Sequence, residues 1–222
     1  QFGLEKKNQD VNYKLKTFYN IYDREYDENG TIDTYESNST GIKYDMSKII
    51  NNSFSYGFGS EYKYDWGYFD NNGSYQASTK GNSDNIAVYG NIGFNLLSDF
   101  KFSLFFRNDD HKYTKDNETY KFDLNKSFKK FNLGITHMKG LRNPTLYELF
   151  GTDNFGYSGN RNLNPEISYS NEIYTNINFN SNLKLSSRLF TSNIKENIEY
   201  VNNQYVNDTD NIDLNQSGLN SE

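Results

Sequence analysis

The sequence predicts an all-β protein, an antiparallel up-and-down meander of about ten strands, on three observations. Apolar and polar residues alternate with period two along most of the chain. Short and long connections take turns between the alternating stretches. The composition is poor in apolar residues and rich in rings: of 222 residues 34% are hydrophobic, yet 17% are Phe, Trp or Tyr.

The clearest stretch is FSYGFGSEYKYDWGY, residues 54 to 68. Phe54, Tyr56, Phe58, Tyr62, Tyr64, Trp66 and Tyr68 occupy one set of alternate positions, and Ser55, Gly57, Gly59, Glu61, Lys63, Asp65 and Gly67 the other. Successive side chains of a strand point to opposite faces, so one face is nearly all ring and the other small or charged. Val11, Tyr13, Leu15, Tyr19 and Ile21 repeat the pattern, as do Ile86, Val88, Ile92 and Phe94. So do Phe100, Phe102, Leu104 and Phe106, then Tyr120, Phe122 and Leu124, then Phe131, Leu133 and Ile135. Ile173, Ile177 and Phe179 follow, then Leu183, Leu185 and Leu189. A weaker strand is expected near 31 to 46 and another near the C-terminus. Helical periodicity is not found.

Tight connections fall at 97–99, 127–130 and 180–182; long polar ones at 23–30, 69–84, 108–117, 141–165 and 202–210. A meander with its long loops all at one end is the pattern of a transmembrane β-barrel, whose turns face the periplasm and whose loops face outside. Strands of about ten residues with an apolar outer face suit a bilayer. Charged residues such as Glu61, Lys63 and Arg107 then line a polar lumen. A soluble sandwich has the same alternation but packs its ring face into a core.

The net charge of −6 opposes a nucleic-acid partner, since such binding rests on Lys and Arg neutralising phosphates. With no Cys, a disulfide framework and any thiolate site are excluded. No run approaches the length of a transmembrane helix. Asp109, Asp110, His111 and His137 could suggest a metal or acid–base site, but Asp109 and His111 share a face that Asp110 does not; a polar rim is the expected reading. NDTDNIDLNQSG, 207 to 218, fails the calcium-loop template, with Ile212 and Asp213 where a ligand and a glycine belong. No catalytic residue, metal site or cofactor is expected, so the chain is not read as an enzyme. Gly57 and Gly59 are expected to relieve crowding rather than touch a ligand.

Both prolines, Pro144 and Pro165, lie in the densest punctuation of the chain, KGLRNPTLYELFGTDNFGYSGNRNLNPEISYSNE. RNPTLYELFG, GNRNLNPE and SNEI resemble successive blocks of TonB-dependent outer-membrane receptors. Upstream, NIAVYGNIGF, FKFSLFFRNDDHKY and TYKFDLNKSF are similar to that family's strands in the same order. The positions carrying the resemblance are Arg107, Asp109, Arg142, Pro144, Leu146, Tyr147, Leu149, Asn162, Leu163, Pro165, Glu166 and Glu172. Asn143 departs from the family's small residue before the proline.

The resemblance implies a barrel of about 22 strands in the Gram-negative outer membrane, plugged by a further domain and energised by TonB. Its cargo would be a ferric siderophore first, cobalamin or haem second. Residues 1–222 are then expected to be part of that barrel, with signal peptide, plug and final strands outside the chain, and to form an open, curved sheet. The expected partners are outer-membrane lipid, a metal-chelate or cobalamin-type ligand, and TonB through the plug. Ligand contacts are expected from the outer loops: Tyr68, Phe69, Tyr147, Phe150, Phe155, Tyr157 and Arg161, since rings and Arg suit a flat, chelated or anionic ligand. The alternatives are a passive porin-like barrel and a soluble glycan-binding sandwich.

Overall fold

The structure, a computed structural model, describes residues 1–28, 30–71, 77–97, 99–179, 183–208 and 214–221. Ten strands run in sequence: β1 (Phe2–Asn8), β2 (Val11–Glu28), β3 (Thr31–Asn51), β4 (Phe54–Asn71), β5 (Ser78–Leu97), β6 (Phe100–His111), β7 (Lys115–Ser127), β8 (Phe131–Arg142), β9 (Glu166–Asn178) and β10 (Lys184–Lys195). Each pairs antiparallel with the next. A hairpin, β11 (Ile198–Val201) and β12 (Gln204–Asn207), stands apart, and β13 (Leu214–Ser221) closes the sheet order against β10. Among the described residues β1 and β13 are edges, so the sheet is open.

The register sorts the side chains into two surfaces. Glu61, Ala87, Asp109 and Asn117 follow one another across β4 to β7, and Asp123, Thr136 and Glu172 across β7 to β9, all on one face. That face is concave, since two hollows of about 860 and 630 Å3 lie against it. The opposite face carries the rings and aliphatics, and they stand bare: Ile21, Phe58, Ile86, Val88, Leu133, Ile173 and Leu189 are exposed. No second layer covers them among the described residues. A soluble sandwich would bury this face; here it is left for another medium.

The expected alternation holds, but the strands are longer than anticipated. β2 to β5 run 18 to 21 residues, so most of the segment 23–30 belongs to β2, whose Glu28 faces Thr31 of β3. The outward face shows why apolar pattern missed these parts. It changes from Ile21 to Asp23 and Glu25, from Ile86 to Asp84, from Phe106 to Asp110 and from Tyr120 to Glu118. Beyond that line pairing continues with few apolar residues, such as Ile32, on the outward face, because a ladder needs only backbone partners.

At the opposite end the turns are tight. Asn51 accepts from the Ser53 and Phe54 amides, at 2.8 and 2.9 Å, and the ladder shifts register there and again between Asn95 and Leu97. The strands flanking the prolines end at Arg142 and resume at Glu166, as the missing proline donor requires. Between them lies the chain's one described helix, α1 (Leu146–Phe150), where no helix was expected. Its cause is a capping box: the Thr145 hydroxyl accepts from the Glu148 amide, and the Glu148 carboxylate accepts from the Thr145 amide.

Candidate functional site

Two adjoining regions hold most of the polar and aromatic chemistry: the concave wall, and the loop 143–165 that leans over its upper end. On the wall Arg107 donates to both oxygens of Asp109, at 2.8 and 2.7 Å, and to Glu61 at 3.2 Å. Asn85 adds a 2.6 Å bond to Asp109. Tyr89 lies beneath the Arg107 guanidinium and donates to Asp45 at 2.7 Å. Three strands apart, Glu172 pairs with Arg188 at 3.1 Å. Arg107 thus holds two carboxylates, Glu61 and Asp109, so the wall places acid and base in direct contact.

The loop is tied to the sheet through Arg142. Its guanidinium donates to Glu148 at 3.1 Å and to Glu166, whose other oxygen accepts from the Ile198 amide at 2.9 Å. One ion network therefore joins β8, α1, β9 and the β11–β12 hairpin. Leu149 and Leu163 are 1% and 2% exposed and form, with Ile198, the hydrophobic cluster under the loop. Leu146 packs over Gly67 and Phe150 over Gly81, so α1 rests on the inward face of β4 and β5.

The expected ligand residues separate. Phe69 faces inward, stacks on Tyr35 with centroids 4.2 Å apart and meets Tyr147 edge-on. Tyr68, its neighbour, points the other way and donates to Asp70, so the two are not brought together. Tyr147 and Tyr157 stack at 5.0 Å, and the Tyr157 hydroxyl donates to the Tyr147 carbonyl at 2.6 Å. Tyr157 is 3% exposed, which makes it a pin of the loop. Phe150 packs against Tyr113 and the Leu149–Leu163 cluster, under the Arg161 guanidinium. Phe155 and Arg161 are open to solvent. Burial pushes the Tyr157 phenol up, with Tyr147 and Tyr205 adding to it, and Tyr147 is raised for the same reason.

The remaining family positions are structural in their contacts. Pro144 and Pro165 are buried, and the Asn162 amide donates to the Asn160 side chain at 3.0 Å. Sequence reasoning missed Tyr35, Tyr200 and Tyr205. The last two return on the hairpin to meet Tyr157, at 5.7 Å each. His111 faces the concave side, whereas His137 points outward, bonded to Asn171 and Tyr120. They cannot share a metal ion, and among the described residues no group of three or more metal-ligating side chains occurs. The stretch 207–218 lies partly outside the described residues.

A family model described as TonB dependent receptor-like, beta-barrel matches residues 1–219. The chain belongs to that family. Members of the TonB-dependent receptor family are transporters and not enzymes. No curated protein matches the chain. Among solved structures it is similar to a mutant of the ferric enterobactin receptor PfeA of Pseudomonas aeruginosa in complex with enterobactin. The TM-score there is 0.68 at 13% identity, over 95% of this chain and 38% of that one. The siderophore receptor PirA of the same organism gives 0.64 at 14%, over 95% and 44%. The copper transporter OprC gives 0.77 at 14%, over 99% and 41%. These likenesses establish the fold. The chain spans about two fifths of the length of the receptors it matches.

Proposed function

We propose that this chain is the lumen wall and outer-loop surface of a Gram-negative outer-membrane receptor that imports a scarce nutrient with energy delivered through TonB. The observation that carries the reading is the two-sided sheet of a family member. Its convex face is apolar and unclothed, and its concave face is lined by paired charges that a water-filled or plugged lumen tolerates. In this reading residues 1–222 form part of the barrel, and the parent protein supplies the plug, which meets TonB.

The cargo proposed is a metal chelate, with a ferric siderophore first. Phe69, Tyr147, Phe155 and Arg161 offer ring faces and one guanidinium at the loop end, which suit a flat or anionic chelate. Tyr157 and Phe150 hold the loop in place instead, and Tyr68 faces away. The names of the solved neighbours favour siderophores twice and copper once.

Growth of a strain deleted for the parent gene tests the proposal, with single ferric siderophores, haem, cobalamin or copper as limiting nutrient. Loss of growth on one ferric siderophore, restored by the gene and abolished again by deleting the TonB gene, is expected. Unimpaired growth on every iron chelate, with a defect on copper or cobalamin alone, would overturn the siderophore assignment. Uptake that persists without TonB would overturn the energised mechanism and favour a passive pore.

A further inference from the structure

Lysines collect at the end of the sheet where the tight turns lie. Lys6, Lys48 and Lys126 point to the apolar, convex side, as the register of β1, β3 and β7 dictates, and Lys129 and Lys130 sit on the β7–β8 turn. The carboxylates that accompany them at this end are Asp10 and Asp99. The other end of the convex face carries the acids Asp23, Glu25, Glu36, Asp110, Asp116 and Glu118, interspersed with Lys80, Lys112, Lys139 and Lys195. The margin at the tight turns thus carries an excess of cations, whereas the opposite margin mixes both signs.

The sequence KSFKKF, residues 126 to 131, builds the densest part of the cationic edge. The Lys126 ammonium lies over the Phe100 ring at 4.6 Å and the Phe128 ring at 5.0 Å. Phe128 stacks on Phe131 with centroids 4.3 Å apart. Phe131 continues directly into Leu133 and Ile135 of the exposed band. The Lys126 ammonium is therefore held at the margin of an apolar surface by rings that belong to that surface, with exposed Lys129 and Lys130 next to it on the turn. Asp99 stands beside them, its carbonyl accepting from the Ser127 amide.

We propose that the β7–β8 turn is a binding site for the headgroup of an anionic glycerophospholipid in the leaflet facing the turns. Lys126, Lys129 and Lys130 would engage the phosphate while Phe100, Phe128 and Phe131 seat its acyl chains. The inference rests on the proposed membrane setting. Charge complementarity selects the ligand: a cationic margin continuous with a lipid-facing band meets a phosphate carrying its own acyl chains. Free phosphate satisfies only the lysines and leaves the rings uncovered. Each lysine near an anionic surface is worth about fivefold in affinity.

The test uses the full-length receptor purified in detergent and titrated with phosphatidylglycerol or phosphatidylcholine, lipid retention being read by native mass spectrometry. Retention of phosphatidylglycerol over phosphatidylcholine on the order of fivefold or more is expected for the unaltered receptor. Lys126→Gln, Lys129→Gln and Lys130→Gln combined should bring the ratio near one, and Asp99→Asn should raise it. All three proteins should keep the heat-dependent gel mobility of a folded barrel. An unchanged ratio in the triple variant, or displacement of the lipid by millimolar inorganic phosphate, would overturn the site. A receptor that folds in no detergent or bilayer would overturn the membrane reading as well, a result distinct from the loss of selectivity.

Discussion

Tyr174 of β9 lies directly opposite Gly134 of β8 on the concave wall, with its ring covering the glycine. The same pairing recurs with Phe18 over Gly41 and Tyr89 over Gly59. A ring laid across a neighbouring strand needs a position without a side chain, and a Cβ at Gly134 would collide with the Tyr174 ring. Gly134→Ala should cost about 1–3 kcal/mol, the usual penalty of overpacking. Tyr174→Ala should relieve part of it, since residues in contact couple. The thermal midpoints of the two single variants and the double variant of the receptor would measure that coupling, and strict additivity would exclude it.

Asp110 of β6 and Asp116 of β7 are also directly opposite, on the convex side above the apolar band. Like charges facing across an antiparallel pair destabilise it. Asp116→Lys should therefore raise stability by about 0.2–1 kcal/mol, and less at high salt because both residues are exposed. A midpoint unchanged at low ionic strength would count against this repulsion.

The capping box at Thr145 and Glu148 should decide whether α1 exists at all, because a helix of five residues has little stability of its own. Thr145→Ala removes the hydroxyl acceptor and should cost about 1 kcal/mol. The loss should be local: amide exchange of residues 146–150 should quicken while β8 and β9 keep their protection. Equal loss of protection in the strands would mean that the loop is part of one cooperative unit with the barrel.

Much of the fold was legible, and the rest was hidden for identifiable reasons. The alternation from Phe54 to Tyr68 dictates both faces of β4, because period two follows from strand geometry alone. The upper reaches of β2 and β5 were not visible, since Asp23, Glu25 and Asp84 lie above the apolar band, where the outward face gives little hydrophobic signal. α1 could have been read from Thr145-x-x-Glu148, a local signal. Tyr200 and Tyr205 could not, because the β11–β12 hairpin meets Tyr157 through a tertiary contact that no spacing encodes. Tyr68 and Phe69 show the reverse error: adjacent rings in a loop suggested one patch, but the strand continues through them and sends them to opposite faces.

Among the described residues β1 and β13 leave unpaired backbone groups at the two edges of the open sheet. In hydrocarbon each such group costs several kcal/mol, and in water an exposed strand edge templates association. Phe2 and Leu4 on β1, 62% and 58% exposed, add an apolar surface to that edge. Residues 1–222 produced alone should therefore aggregate, in detergent as well as in buffer. A monodisperse, heat-resistant monomer by light scattering would show that the edges are satisfied within the chain.

The loop cluster should respond to alkali. Tyr157 is nearly fully buried, and its hydroxyl is committed to the Tyr147 carbonyl, so its neutral form is the one that packs. Its folded-state pKa lies above the ordinary value of 10.0, chiefly through burial. In the folded loop the phenol therefore holds its proton at a pH where the unfolded chain has released it. The stabilisation this represents is fully present below pH 10.0 and is lost progressively as pH rises beyond it. Amide exchange across 146–163 should accelerate above that pH while the strands stay protected. Tyr157→Phe should shift the behaviour in two ways: it gives up a hydrogen bond worth about 1 kcal/mol at neutral pH, and it weakens the alkaline transition by removing its principal titrating group. An alkaline transition of the same size and midpoint in Tyr157→Phe would assign it to Tyr147 instead.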